Sequence, residues 1–69
     1  MPKYEYRRLR GRIVEKYGTL SAFAEASGIP LNTISRKLNN VTYFTQEDIV
    51  QWSGFLDIKP EQYLEMYFS

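Results

Sequence analysis

Cysteine and histidine are both absent from this 69-residue chain. Without cysteine there is neither a disulfide nor a thiolate metal site. Without histidine there is no imidazole to act as a general base or to ligate a metal. No glycine-rich loop of the phosphate-cradling kind is present, and nothing pairs two carboxylates as acid and base. The expectation is therefore no enzyme, no catalytic residue, no metal, no cofactor and no small-molecule substrate. No apolar run approaches the ~20 residues that span a membrane, and no signal peptide is visible. A cytoplasmic chain without a membrane partner is expected. Period-two alternation is also missing, which removes β-strands from consideration.

What is present is globular. Apolar residues make up 43% and aromatic residues 16%, too many for a disordered tail. The length sets one domain, 1–69. A chain this short buries only about 60% of its unfolded surface, so each large apolar group matters. The net charge of +1 conceals a split. Residues 1–40 carry eight basic residues (Lys3, Arg7, Arg8, Arg10, Arg12, Lys16, Arg36, Lys37) against Glu5, Glu15 and Glu25, a net of +5. Residues 41–69 carry Lys59 against Glu47, Asp48, Asp57, Glu61 and Glu65, a net of −4. One half is suited to face an anion; the plainer reading is that the arginines solvate the outside of the first helix.

The periodicity predicts five helices and an all-α fold. In the first, over Tyr4–Tyr17, Tyr6, Leu9, Ile13 and Tyr17 form one stripe, Gly18 is a natural stop, and Gly11 weakens the interior unless close packing needs it. Thr19 is a good N-cap for a second helix through Leu20, Phe23, Ala24 and Ser27, ending at Gly28. The third opens near Pro30, with Leu31, Ile34 and Leu38 as its apolar stripe and Asn39-Asn40 as its stop. After a loop, Thr45 and Asp48 have capping-box spacing before a fourth helix carrying Ile49, Trp52, Phe55 and Leu56. A short fifth begins at Pro60.

On the third helix, Leu31, Ile34 and Leu38 fall within about 60° of one another. The opposite arc holds Asn32, Thr33, Arg36 and Asn40, with Ser35 on the flank and Lys37 beside it, and no acidic residue. Such side chains suit the major groove. Arginine donates twice to guanine O6 and N7, asparagine pairs with the N6/N7 edge of adenine, and a threonine methyl meets the thymine methyl. A surface helix also shows polar residues outward for no functional reason. The surroundings decide between the two, because two short helices joined at a glycine turn, over 19–40, make a helix-turn-helix.

Phe23-Ala24, Gly28-Ile29 and Ile34 stand at the spacing of the phage repressor/Cro family. With RLRGRIVEKYGT before and YFTQEDIVQW after, nearly the whole chain resembles small Cro/CI-like (XRE-type) regulators. The resemblance implies a compact five-helix lambda-repressor-like domain with its recognition helix at about 31–38. It implies a sequence-specific transcriptional repressor on near-palindromic operator DNA, bound at least there as a homodimer. Base reading would fall to Asn32, Thr33, Ser35 and Arg36. Phosphate contacts would fall to Thr19 and Ser21 at a helix N-terminus, and to Lys37, Asn40, Thr42 and Tyr43, although Tyr43 could equally pack beside Phe44. Arg10 and Arg12 would add longer-range attraction. The chain departs from the family at Leu20, where glutamine is common, and at Pro30, where a serine cap is usual. It departs also at Leu31, a common polar reader, and at Lys37, whose packing role Leu38 takes one place later.

At the C-terminus Tyr63, Met66, Tyr67 and Phe68 bring four large groups into seven residues. They either close the core or leave a dimer surface. The alternative to DNA binding is a protein-interaction module, an antirepressor or adaptor that keeps the fold without the DNA.

Overall fold

A computed structural model describes residues 4–69; Lys3 lies outside them. The described chain is all-helical, with α1 Arg7–Tyr17, α2 Leu20–Ser27, α3 Leu31–Leu38, α4 Gln46–Leu56 and α5 Tyr63–Tyr67, the last led in by a 3-10 turn Pro60–Gln62. Local chemistry sets most of these limits. The Thr19 hydroxyl accepts from the Ala22 amide at 3.0 Å and starts α2. Gly28, at φ 77°, ends it in a left-handed conformation that a side chain would strain. Pro30 stands just before α3 as its cap residue rather than inside its first turn. At α4 the capping box is complete: Thr45 Oγ1 accepts from the Asp48 amide at 3.1 Å, and Asp48 Oδ2 accepts from the Thr45 amide at 2.9 Å.

The first helix departs from expectation. It starts at Arg7, not Tyr4, because Tyr6 sits at φ 55°, a conformation rare for a bulky residue. The reason is tertiary. The Tyr6 amide donates to the carbonyl of Ser69 at 3.1 Å, and the Tyr6 ring is buried with an edge toward Phe44 at 5.3 Å. The segment before α1 is thereby tied to the other end of the chain.

α1 runs against α2, α4 and α5, and α2 packs on α3. Between them lie Leu9, Ile13, Phe23, Ile34, Leu38, Trp52 and Leu56, all essentially without solvent contact. Phe44 bridges the two sides of this core, with its ring 4.8 Å from Trp52 and 5.3 Å from Tyr67, both edge-on. Leu31 belongs to neither. It is 44% exposed, so the buried stripe of α3 is Ile34, Lys37 and Leu38.

Candidate nucleic-acid interface

The outward face of α3 rises between two fixed ends. At its start, the Gly28-Ile29-Pro30 turn holds it to α2. At its end, the Arg36 carbonyl accepts from the amides of Val41, at 2.8 Å, and Thr42, at 3.4 Å. The loop after α3 therefore doubles back onto the last turn of the helix. Asn40, at φ 62°, makes that reversal, and its side chain is occupied in holding it. Asn40 Oδ1 accepts from the Tyr4 amide at 3.2 Å, and Nδ2 donates to the Tyr4 carbonyl at 2.8 Å. Both polar atoms expected at a phosphate are engaged inside the protein.

Asn32 and Arg36 are exposed one turn apart, while Thr33 and Ser35 are half-buried beside them. Thr42 and Tyr43 are exposed, Tyr43 at 66%. Of the two adjacent aromatics only Phe44 enters the core, and this settles where Tyr43 packs. Thr19 and Ser21 are exposed at the start of α2.

Lys37 requires a correction. It was expected at a phosphate, but it is 9% exposed and turned inward. Its ammonium donates to Asp48 Oδ2 at 2.7 Å and to the Tyr43 carbonyl at 3.0 Å, with Nζ 5.8 Å from the centre of the Phe44 ring. Desolvation alone would raise the Asp48 pKa. The hydrogen bonds from Lys37 and Thr45, with the Lys37 charge, outweigh it and hold the carboxyl below its ordinary value.

The helix 1 cations also have partners within the fold, in more exposed settings. Arg10 donates to the Leu38 carbonyl and to Asn39 Oδ1, both at 3.0 Å. Arg12 donates to the carbonyls of Leu56 at 2.9 Å and Asp57 at 3.2 Å. These are the C-terminal ends of α3 and α4, where unpaired carbonyls and the helix dipole favour a cation. Arg7 pairs with Glu5 at 2.7 Å, Arg8 with Glu65, and Lys16 with Asp57. The Lys16 hydrogen bond and charge hold the Asp57 carboxyl below its usual range. Among the described residues, Arg36 and Lys59 are the cations with no side-chain hydrogen bond or ion pair to the protein.

The C-terminal set divides. Met66 and Tyr67 are core residues, at 6% and 1% exposure, which corrects their place on a dimer surface. The Tyr67 hydroxyl lies 2.9 Å from Ser53 Oγ, and burial pushes its pKa up to about 12. Tyr63 and Phe68 instead line an open groove of about 640 Å³ with Gln46, Glu47, Ile49, Val50 and Gln51. Leu64, which no periodicity singled out, is 77% exposed. Asn39 does more than stop α3, and no local signature marks this because its partners lie on α1 and on the helix it ends.

A family model described as Protein of unknown function (DUF739) matches residues 2–69. No curated protein matches the chain.

Proposed function

We propose, for a chain that belongs to the DUF739 family, a role as a sequence-specific DNA-binding regulator. In this reading α2, the Gly28 turn and α3 form the helix-turn-helix of a lambda-repressor-like domain, and α3 lies in the major groove. The observation that carries the reading is Arg36. It stands exposed on a face without acidic residues, while the cations of α1 and Lys37 are all engaged within the fold. Its guanidinium is free to take guanine O6 and N7, and Asn32, one turn earlier, suits an adenine edge. Thr33 and Ser35 flank them. Thr19 and Ser21 at the α2 N-terminus, with Thr42 and Tyr43 of the loop, provide the phosphate contacts. Lys37 and Asn40 leave that set because the fold already uses them. Two copies joined through the Tyr63–Phe68 groove would present α3 to half-sites about 34 Å apart, and occupancy of a promoter would repress it.

A second reading, a protein-interaction module, draws on Leu31, Val41 and Tyr43, which expose apolar surface around the same helix at 44%, 67% and 66%. Selection of bound duplexes from a random pool distinguishes the two. The DNA reading expects a near-palindrome with half-sites one helical turn apart. It also expects Arg36→Ala to weaken binding to the recovered site by about 1–3 kcal/mol. No retained duplex, or an Arg36→Ala variant that binds as well as the wild type, transfers the face to a protein partner.

A further inference from the structure

Arg10, Asn39 and Ser35 form a chain of hydrogen bonds that ends on the α3 face. Arg10 Nη2 donates to Asn39 Oδ1 at 3.0 Å, and Asn39 Nδ2 donates to Ser35 Oγ at 3.2 Å. The direction of each bond is fixed by chemistry. A guanidinium has no acceptor, so the asparagine must offer it the carbonyl oxygen. The amide nitrogen is then the atom turned toward Ser35, and it can only donate. Ser35 Oγ accepts, and its own proton must point elsewhere. Among the described residues no group receives that proton. Arg10 is itself anchored a second time, to the Leu38 carbonyl at 3.0 Å, so the far end of the chain is held in place.

Resting on the DNA reading above, we infer that this chain leaves the Ser35 proton to be donated toward the groove and thereby biases its base preference. A free serine hydroxyl is indifferent, since it donates or accepts as needed. With one lone pair taken by Asn39 and its proton unclaimed, Ser35 favours an acceptor, and the acceptors that distinguish bases are guanine O6 and thymine O4, since both purines show N7. Cytosine N4 and adenine N6, which are donors, can meet only the one remaining lone pair. Asn39 and Arg10 touch no base in this scheme. They are positioning residues, acting through Ser35.

The test is an inversion. Asn39→Asp keeps the shape but replaces the donor with a second acceptor. An ionised carboxylate only accepts, so it takes the Arg10 donor on one oxygen and the Ser35 proton on the other. Ser35 then shows only lone pairs to the groove. Duplex selection with wild type and Asn39→Asp should return sites identical except at one base-pair position per half-site. There the preference moves from guanine or thymine to cytosine or adenine on the same strand. Ser35→Ala should lose a roughly two- to tenfold discrimination at that position alone, and it serves if Asn39→Asp does not fold, as judged by circular dichroism. A site unchanged in Asn39→Asp, or weakened evenly at every position, overturns the inference and leaves the DNA reading standing. A Ser35→Ala variant with unaltered preferences does the same. A wild type that retains no duplex overturns both.

Discussion

Lys37 and Asp48 form the ion pair most withdrawn from water among the described residues, with side chains 11% and 21% exposed. Such a pair is held together less by its own attraction than by the cost of separating it. Asp48 also completes the α4 capping box. Asp48→Ala should therefore destabilise the domain by about 3 kcal/mol, measured as a fall in urea midpoint. Lys37→Met should cost clearly less, because Asp48 keeps the Thr45 amide and reaches water, while Met covers Phe44. The pair also fixes a pH dependence. The Asp48 pKa is lowered in the fold, so its contribution is complete above the unfolded carboxyl value of about 3.9. It is lost as pH falls below that, through the folded value. The urea midpoint of the wild type should drop over this acid range more than that of Asp48→Ala; parallel curves would discount the pair. Half of this was legible in the sequence. Thr45 and Asp48 stand three apart, a local signature. Lys37 lies beside the polar arc of α3, and nothing in its neighbourhood names a partner on the next helix.

At the scale of elements, α2, α3 and α4 were legible because their ends are written in side chains: Thr19, Gly28, Pro30 and Thr45 each act on the backbone beside them. The start of α1 was not, because it depends on Ser69 receiving the Tyr6 amide. Glycine separates local from tertiary causes by experiment. Gly11 was a candidate for close packing, yet a Cβ there would meet nothing within 4 Å, and the residue is exposed in mid-helix. Gly11→Ala should accordingly stabilise the domain by up to about 1 kcal/mol. Gly28 is equally open, but its φ of 77° means Gly28→Ala should cost about 1–2 kcal/mol. Thermal melts of the two variants should shift in opposite directions. A shift in the same direction would place the constraint in the surroundings rather than in the backbone.

Over the whole molecule the charge split acquires a different meaning from the one it has in the sequence. Arg8–Glu65, Lys16–Asp57 and Lys37–Asp48 each join the basic residues of 1–40 to the acidic residues of 41–69. Arg10 and Arg12 close the ends of α3 and α4. These pairs set charges of the two halves against one another across a molecule of 30 × 25 × 20 Å, so much of the +5 faces carboxylates and helix ends of the fold itself. The consequence for DNA is quantitative. Each phosphate neutralised contributes about −0.9 to the slope of log affinity against log salt. With Arg36 and Lys59 as the uncommitted described cations, the described residues should contribute no more than about −2 to the slope per bound copy. Anisotropy titrations on the selected duplex at several salt concentrations measure it directly. A slope near −5 per copy would mean that the α1 cations leave their carboxylates and helix ends for phosphate. Binding would then be coupled to loosening of α1, and Arg8→Gln and Lys16→Gln would each flatten the slope. With the shallow slope those two substitutions leave it unchanged, and selectivity has to come from the α3 face rather than from bulk charge.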